Sequence, residues 1–242
     1  MRFGRATIFF HQFDFFHGLR FLLFEICRKV LDRYSTSSYS QTGEDRIIQA
    51  LLGNGPGFYV DVGCNHPQKC SNTFELYKRG WKGVNIDANA SLIKEQRSLR
   101  IADIAVCAAI SNIEQEIVFT EFSDPFVSSL SPQHVQEWKQ HRSIKETRLV
   151  KTVTLTAVLN EVGVPQQPDL LSIDVEGHDY EVLTSLDMNL YRPRLIVVEM
   201  HGFDLDNPNV DRIFVYLISK GYKMAGFVVM NGYFIDALHP DV

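Results

Sequence analysis

The sequence predicts an α/β protein built on a doubly wound, mainly parallel Rossmann-like sheet with an antiparallel last strand, plus an N-terminal helical arm and a small β-containing insertion. Three observations carry that expectation. Short apolar runs such as Phe58–Val62, Gly83–Ile86 and Leu195–Met200 alternate with stretches of helical spacing. The first run ends in a turn with a single glycine, Asp61-Val-Gly63-Cys-Asn65. The alternation breaks once, over about residues 112–155, where the segments read as antiparallel strands.

Residues 1–37 form an aromatic-rich arm. Phe9, Phe10, Phe13, Phe15, Phe16, Phe21 and Phe24 recur with Leu19, Leu22 and Leu23, but Arg5, His11, Asp14, His17, Arg20 and Glu25 interrupt them. No apolar run there is long enough to span a bilayer, and no small-residue cleavage site follows one, which argues against a signal peptide. The arm reads as one or two amphipathic helices packed on the domain or on a second copy in a homo-oligomer. Lying in a membrane interface is the other reading. The Ser-rich stretch Tyr34–Ser40 reads as the linker to the main domain, residues 38–242.

The body follows in order. Gln41–Leu52 has the apolar spacing of an amphipathic helix, stopped by Asn54-Gly-Pro-Gly57. Strand Phe58–Val62, a helix near Asn72–Arg79, strand Gly83–Ile86, a helix from about Ser91 to Leu99 and strand Ile104–Ala109 come next. Inside the insertion, Glu116–Phe122 and Leu149–Leu155 alternate like strands around a polar helix at Pro132–Arg142. The α/β rhythm resumes with helix Thr156–Val162, strand Asp169–Val175, a helix near Tyr180–Leu186 and strand Leu195–Met200. Helix Val210–Lys220 and a closing hairpin, Tyr222–Val229 with Tyr233–Ile235, complete the chain. Trp81 reads as core packing rather than as a stacking platform.

Composition narrows the class. A chain of 242 residues, 45% hydrophobic and 22% charged, can bury a substantial core as a soluble domain. A net charge of −5 argues against a nucleic-acid partner. Cys27, Cys64, Cys70 and Cys107 lack metal-ligand spacing and read as buried reduced thiols, which fits a cytoplasmic protein, peripheral at the membrane if the arm docks there.

In a doubly wound sheet the ligand lies at the carboxyl ends of the strands. Gly63 is the only glycine in the first turn, so the Gly-x-Gly-x-x-Gly pattern of pyrophosphate binders is missing. A ligand with a ribose diol and cationic groups suits this edge better. Asp61 can face positive charge, Gly63 and Asn65 allow backbone approach, and Asp87, followed by Ala88, can accept two hydrogen bonds from a vicinal diol. Capping of the next helix is the alternative role for such strand-end aspartates.

The order of these segments resembles the FkbM family of methyltransferases from about Tyr39 to Asp236. The matching stretches are Ser40-Gln-Thr-Gly-Glu-Asp45, Gly57-Phe-Tyr-Val-Asp-Val-Gly63 with His66-Pro67, Ser71-Asn-Thr73, Gly80-Trp-Lys-Gly-Val-Asn-Ile-Asp87, Thr152–Leu155, Asp169–Gly177 and Leu195–Glu199. The resemblance implies S-adenosylmethionine as cofactor and O-methylation of a carbohydrate or other hydroxylated metabolite, hence a small-molecule or glycan acceptor. It also implies that Gln41 and Asp45 lie near the cofactor. Ser71 caps the first crossover helix or reaches the cofactor's amino acid end, and Ile110 and Ser111 would lie beside the adenine. No acidic or amide group except Asn112 follows Ile110, so the adenine amine would meet backbone groups. Asp103 precedes its strand and sits at the wrong end for the ligand.

A second cluster follows the run Leu170–Ile173, which delivers Asp174, Glu176 and His178 to the same edge. Asp174 is expected to orient cofactor or acceptor, and His178 to act as general base or simply to begin the next helix. Glu199 and His201 end the neighbouring strand and can form an acceptor-binding pair with His178. A divalent metal held by such groups with Asp174 is the less favoured alternative. Phe122, Phe126, His134 and Trp138 of the insertion can stack on a sugar face or form a small satellite core. Two rival functions remain: a nucleotide-binding oxidoreductase, weakened by the missing glycine-rich turn, and a non-catalytic scaffold that docks a membrane or partner through the arm.

Overall fold

Apolar residues on both faces of the central strands, covered by amphipathic helices, produce a two-sided core. The computed structural model describes residues 5–31 and 38–238. After α1 (Arg5–Gln12) and α2 (Phe15–Leu31), the body runs α3 (Glu44–Leu52), β1 (Phe58–Val62), α4 (Phe74–Lys78), β2 (Lys82–Asp87), α5 (Ala90–Leu99) and β3 (Ile104–Cys107). Then come β4 (Ala109–Ile110), β5 (Glu116–Phe122), α6 (Pro132–Trp138) and β6 (Ile144–Val153). The last part is α7 (Leu155–Val162), β7 (Leu170–Ile173), α8 (Asp179–Thr184), β8 (Leu195–Glu199), α9 (Arg212–Ser219), β9 (Tyr222–Val228) and β10 (Asn231–Asp236).

The expected doubly wound sheet is present. Seven strands lie in the order β3-β2-β1-β7-β8-β10-β9, the first five parallel and β10 antiparallel to both its neighbours. The chain moves from β1 to one side through β2 and β3, then to the other through β7 and β8, so the order reverses at β1. One core layer joins Val60, Val84, Ile86, Leu171, Ile173, Ile196 and Val198 to α7, α8 and α9. The other joins Tyr59, Leu170, Leu195 and Val197 to α3, α4 and the arm.

The third strand departs from expectation. Ile104–Ala109 does not run as one strand: β3 stops at Cys107, and β4 leaves the main sheet to pair in parallel with Thr152 and Val153 of β6. A separate three-stranded sheet, β4-β6-β5, results. Strand β6 also starts at Ile144 rather than Leu149, because β5 pairs with it as far as Phe122↔Ile144. Its first half, Lys145-Glu-Thr-Arg148, is too polar to announce a strand, and backbone pairing alone sets its length. Helix α4 is shorter than expected, beginning at Phe74 rather than Asn72.

The arm folds onto α4. Phe13 and Phe21, 4.7 Å apart, are buried against Phe74 and Tyr77 with ring centroids 5.1 to 6.1 Å away. Nε2 of Gln12 donates to the carbonyls of Tyr77 (3.0 Å) and Trp81 (2.6 Å), and Lys78 pairs with Glu25 at 2.7 Å. Phe15, Phe16, Leu23, Phe24 and Ile26 remain exposed on the outer side. No helix among the described residues is long and apolar enough to cross a membrane. Much of the expected linker Tyr34–Ser40 lies outside the described residues. Trp81 is buried as expected, its Nε1 donating to the Gly55 carbonyl at 2.7 Å. All four cysteines are free, but only Cys64 is buried; Cys27, Cys70 and Cys107 are exposed, which corrects the expectation of four buried thiols.

Candidate active site

Neighbouring strands stop level with one another, and the residues just beyond their ends make the site. Val62 pairs with Ile86 on one side and Ile173 on the other, so Gly63, Asp87 and Asp174 emerge together. Ile173 pairs in turn with Val198, which brings Glu199 to the same edge. Gly63 has φ 79°, and a Cβ built on it would overlap the backbone carbonyl of Asp174. Only glycine meets both demands, the positive φ and the close approach.

A cavity of about 810 Å³ opens over these ends, lined by Gln41, Gly63, Asn65, Asp87, Ala88, Ile110, Asp174 and Glu176 among others. Asp87 accepts the N–H of Asn65 on one oxygen (3.0 Å) and of Asn89 on the other (2.8 Å), which fixes its carboxylate at the cavity wall. Burial pushes its pKa up to about 6 despite those two bonds. Asn65, at φ 47°, donates through Nδ2 to the Pro125 carbonyl (3.3 Å), while its Oδ1 is buried with no hydrogen-bond partner among the described residues. An acceptor atom left open at the cavity wall is a place for a ligand's hydroxyl or amine.

Other expected ligand contacts line neither this cavity nor the next. Asp61 is buried and accepts the Thr73 hydroxyl at 2.6 Å, and burial raises its pKa. Ser71 accepts from Arg100 at 2.6 Å, and Arg100 also donates to Thr73 (2.8 Å), Asn85 (3.2 Å) and the Pro67 carbonyl (2.9 Å). Asp45 clasps the segment before α3, accepting from Ser38 (2.7 Å), Tyr39 N–H (2.7 Å) and Ser40 (3.1 Å). Ser111 bonds to Nε2 of His178 at 3.0 Å. Asn112 donates to Thr184 at 3.0 Å, and Asp103 holds Gly83 and Asn85 inside the fold.

His178 takes the second of its two expected roles and begins the next helix. A strand continuing past Ile173 would place Asp174, Glu176 and His178 on one side. The strand ends instead, and Glu176 and Gly177 both take positive φ (57° and 86°), which swings His178 to the start of α8 and toward Ser111. Its pKa is lowered, chiefly by burial.

A second cavity of about 880 Å³ lies on the other side of the Asp174–Gly177 turn, lined by His134, Trp138, Gly177, Asp179, Glu199 and His201 among others. Of the four insertion residues, His134 and Trp138 line this cavity and Phe126 lines the first, whereas Phe122 is core. Carboxylates crowd the turn. Burial, then the neighbouring Glu199, Glu176 and Asp179, push Asp174 well above the usual carboxylate range. Burial pushes Glu176 up to about 8 and Asp179 to about 7, although Asp179 accepts the N–H groups of Val175 (3.0 Å) and Gly177 (3.1 Å). Pairing with the Glu199 carboxylate, 3.0 Å away, raises His201 to about 9.

His134 was expected to stack on a sugar face or join a satellite core rather than to act as a ligand, Asp179 was not expected at the site, and Glu176 was placed at the edge without a role. No motif marks His134: it sits in a short polar helix of the insertion, capped by Ser131. Among the described residues, a metal-ligand grouping forms around His134, Glu176 and His201 rather than Asp174. The ligand atoms of His134, Glu176 and His201 lie within 4.8 Å of one another.

A doubly wound sheet with a reversed final hairpin, and a cavity at its switch point bounded by Gly63 and Asp87 without a phosphate-binding glycine loop, is the architecture of a Rossmann-like methyltransferase. Residues 61–224 match the methyltransferase FkbM domain model, and the chain belongs to that family. Among solved structures, methyltransferase FkbM from Methylobacillus flagellatus KT matches with 9% identity and a TM-score of 0.46, over 74% of this chain and 43% of its own. The chain thus spans less than half the length of that relative. No curated protein matches it.

Proposed function

We propose that this methyltransferase uses S-adenosylmethionine to methylate a hydroxyl of a carbohydrate or related small metabolite. The observation that carries the reading is Asp87, fixed by two backbone N–H groups at the wall of the first cavity, beside Gly63. When bound, S-adenosylmethionine supplies the methyl group from its sulfonium and leaves as S-adenosylhomocysteine. Asp87 would accept the ribose diol, and the open Oδ1 of Asn65 would take a further donor. Asp174 would face the cationic end, where an arriving positive charge favours the ionised form that burial disfavours. The acceptor would enter through the second cavity, with Trp138 against a sugar face and the Glu199–His201 pair on its hydroxyls. Alignment of acceptor oxygen and methyl carbon across the Asp174–Gly177 turn supplies proximity, and the hydroxyl proton departs into the carboxylate–imidazole cluster.

Calorimetric titration with S-adenosylmethionine, S-adenosylhomocysteine and NADH tests the reading. Micromolar binding of the two adenosyl compounds, lost in Asp87→Ala and absent for NADH, supports it and leads to an acceptor screen. No binding of either would leave the fold standing and favour a non-catalytic binding protein, one that would use the outward Phe16, Leu23 and Phe24 of α2 for docking.

A further inference from the structure

Two imidazoles and a carboxylate converge between the two cavities from three separate stretches: α6, the turn after β7 and the loop after β8. His134 gives the strongest indication of what they hold. Its side chain is 6% exposed, and its Nε2 is sealed from solvent without a hydrogen-bond partner among the described residues, although Glu176 Oε2 stands 3.2 Å away. A buried ring nitrogen in that state is costly unless something absent from the chain completes it. The ring of His201 lies beside it, centroids 6.2 Å apart, and Glu176 is held in place by the Ser129 hydroxyl, which donates to its carbonyl at 2.7 Å.

We propose that His134, Glu176 and His201 bind a divalent transition-metal ion at the junction of the two cavities. Imidazole nitrogens with one carboxylate suit zinc, cobalt, manganese or iron, whereas magnesium and calcium favour all-oxygen shells. Glu199, 3.0 Å from Nε2 of His201, and the buried Asp179 add negative charge around the position. Three protein ligands leave coordination positions open. Glu176 lines the first cavity while His134 and His201 line the second, so an ion here stands where both open. Resting on the function proposed above, the ion defines the acceptor more narrowly: a sugar or polyol whose hydroxyl, or vicinal pair of hydroxyls, completes the metal's shell.

The test uses the full chain without a histidine tag, stripped with chelator and titrated calorimetrically with zinc, cobalt or magnesium chloride. S-adenosylhomocysteine is titrated in parallel. One equivalent of zinc and of cobalt should bind, with cobalt giving visible d–d bands. His134→Ala, His201→Ala and Glu176→Gln should each weaken binding by at least about 10-fold, since even outer-shell changes at metal sites cost that much. His201 is half-exposed, so His201→Ala should keep the native melting temperature even if His134→Ala does not. The proposal is overturned by no stoichiometric uptake, by uptake undiminished in His201→Ala, or by magnesium binding as well as zinc. The parallel titration separates the two ideas. Cofactor binding without metal removes this site alone, whereas metal binding without cofactor removes the methyl-transfer reading and leaves the site.

Discussion

The carbonyl of Asp174 occupies the space in which a side chain on Gly63 would begin. Strands β1 and β7 therefore close on each other just where the chain turns from sheet to site. Gly63→Ala adds an atom into a backbone contact and forces a left-handed φ on an L-residue. A loss of about 3 kcal/mol or more in folding stability is expected, read from denaturant midpoints, together with loss of cofactor binding. A variant as stable as the parent would show that the two strand ends separate easily.

Asp87 should govern affinity and its pH dependence. Asp87→Ala is expected to weaken S-adenosylhomocysteine binding by about 1–3 kcal/mol, roughly 5- to 150-fold. The form that accepts a diol is the ionised one, and the pKa stands at about 6. Affinity should thus be level above that pH and fall below it, by up to about tenfold per unit. Asp87→Asn should abolish the slope. A parent protein with flat affinity from pH 5 to 8 would remove Asp87 from the contact.

His178 lines neither cavity, so its replacement should act on the fold rather than on the reaction. His178→Ala is expected to lower stability by about 1 kcal/mol through the lost bond to Ser111. Turnover should stay within about threefold. A rate loss near 100-fold at unchanged cofactor affinity would instead identify a general base, and would require the turn at Glu176 and Gly177 to rearrange on binding.

The arm should prove integral to the fold. Beginning the chain at Ser38 strips Phe13 and Phe21 from Phe74 and Tyr77, and each buried ring contributes about 1.5–3 kcal/mol. A shortened chain is expected to melt lower and to aggregate, as light scattering during heating would show. An unchanged melting profile would mean that the arm packs too weakly to matter.

Sheet and site differed in how far the sequence disclosed them. Strands β1, β2, β7 and β8 are largely buried and read as short, mainly apolar runs despite Asp61, Asn85 and Ser172 within them. The acids and glycine at their carboxyl ends, Gly63, Asp87 and Asp174, could therefore be placed by counting. Strand β6 could not, since Lys145–Arg148 shows water no apolar face and is a strand only because β5 lies alongside. Position past a strand end did not foretell direction either. Asp61 and Ser71 turn inward, and two consecutive residues of positive φ at Glu176 and Gly177 redirect His178 while presenting Glu176. The meeting of His134 with Glu176 and His201 was invisible for a different reason: those partners lie 42 and 67 residues downstream, and no local pattern records such a meeting.

Arg100 gives the inward-turned residues their meaning. Fully buried, its guanidinium joins Ser71, Thr73, Asn85 and the Pro67 carbonyl, and Thr73 holds Asp61. One internal cation thereby ties the loop after β1 to β2 and to the end of α5. A mutational scan of this protein would find ligand-binding defects spread well beneath the contact surface, centred on a residue that no ligand meets. Sensitivity to substitution would map the keel of the pocket as readily as its walls.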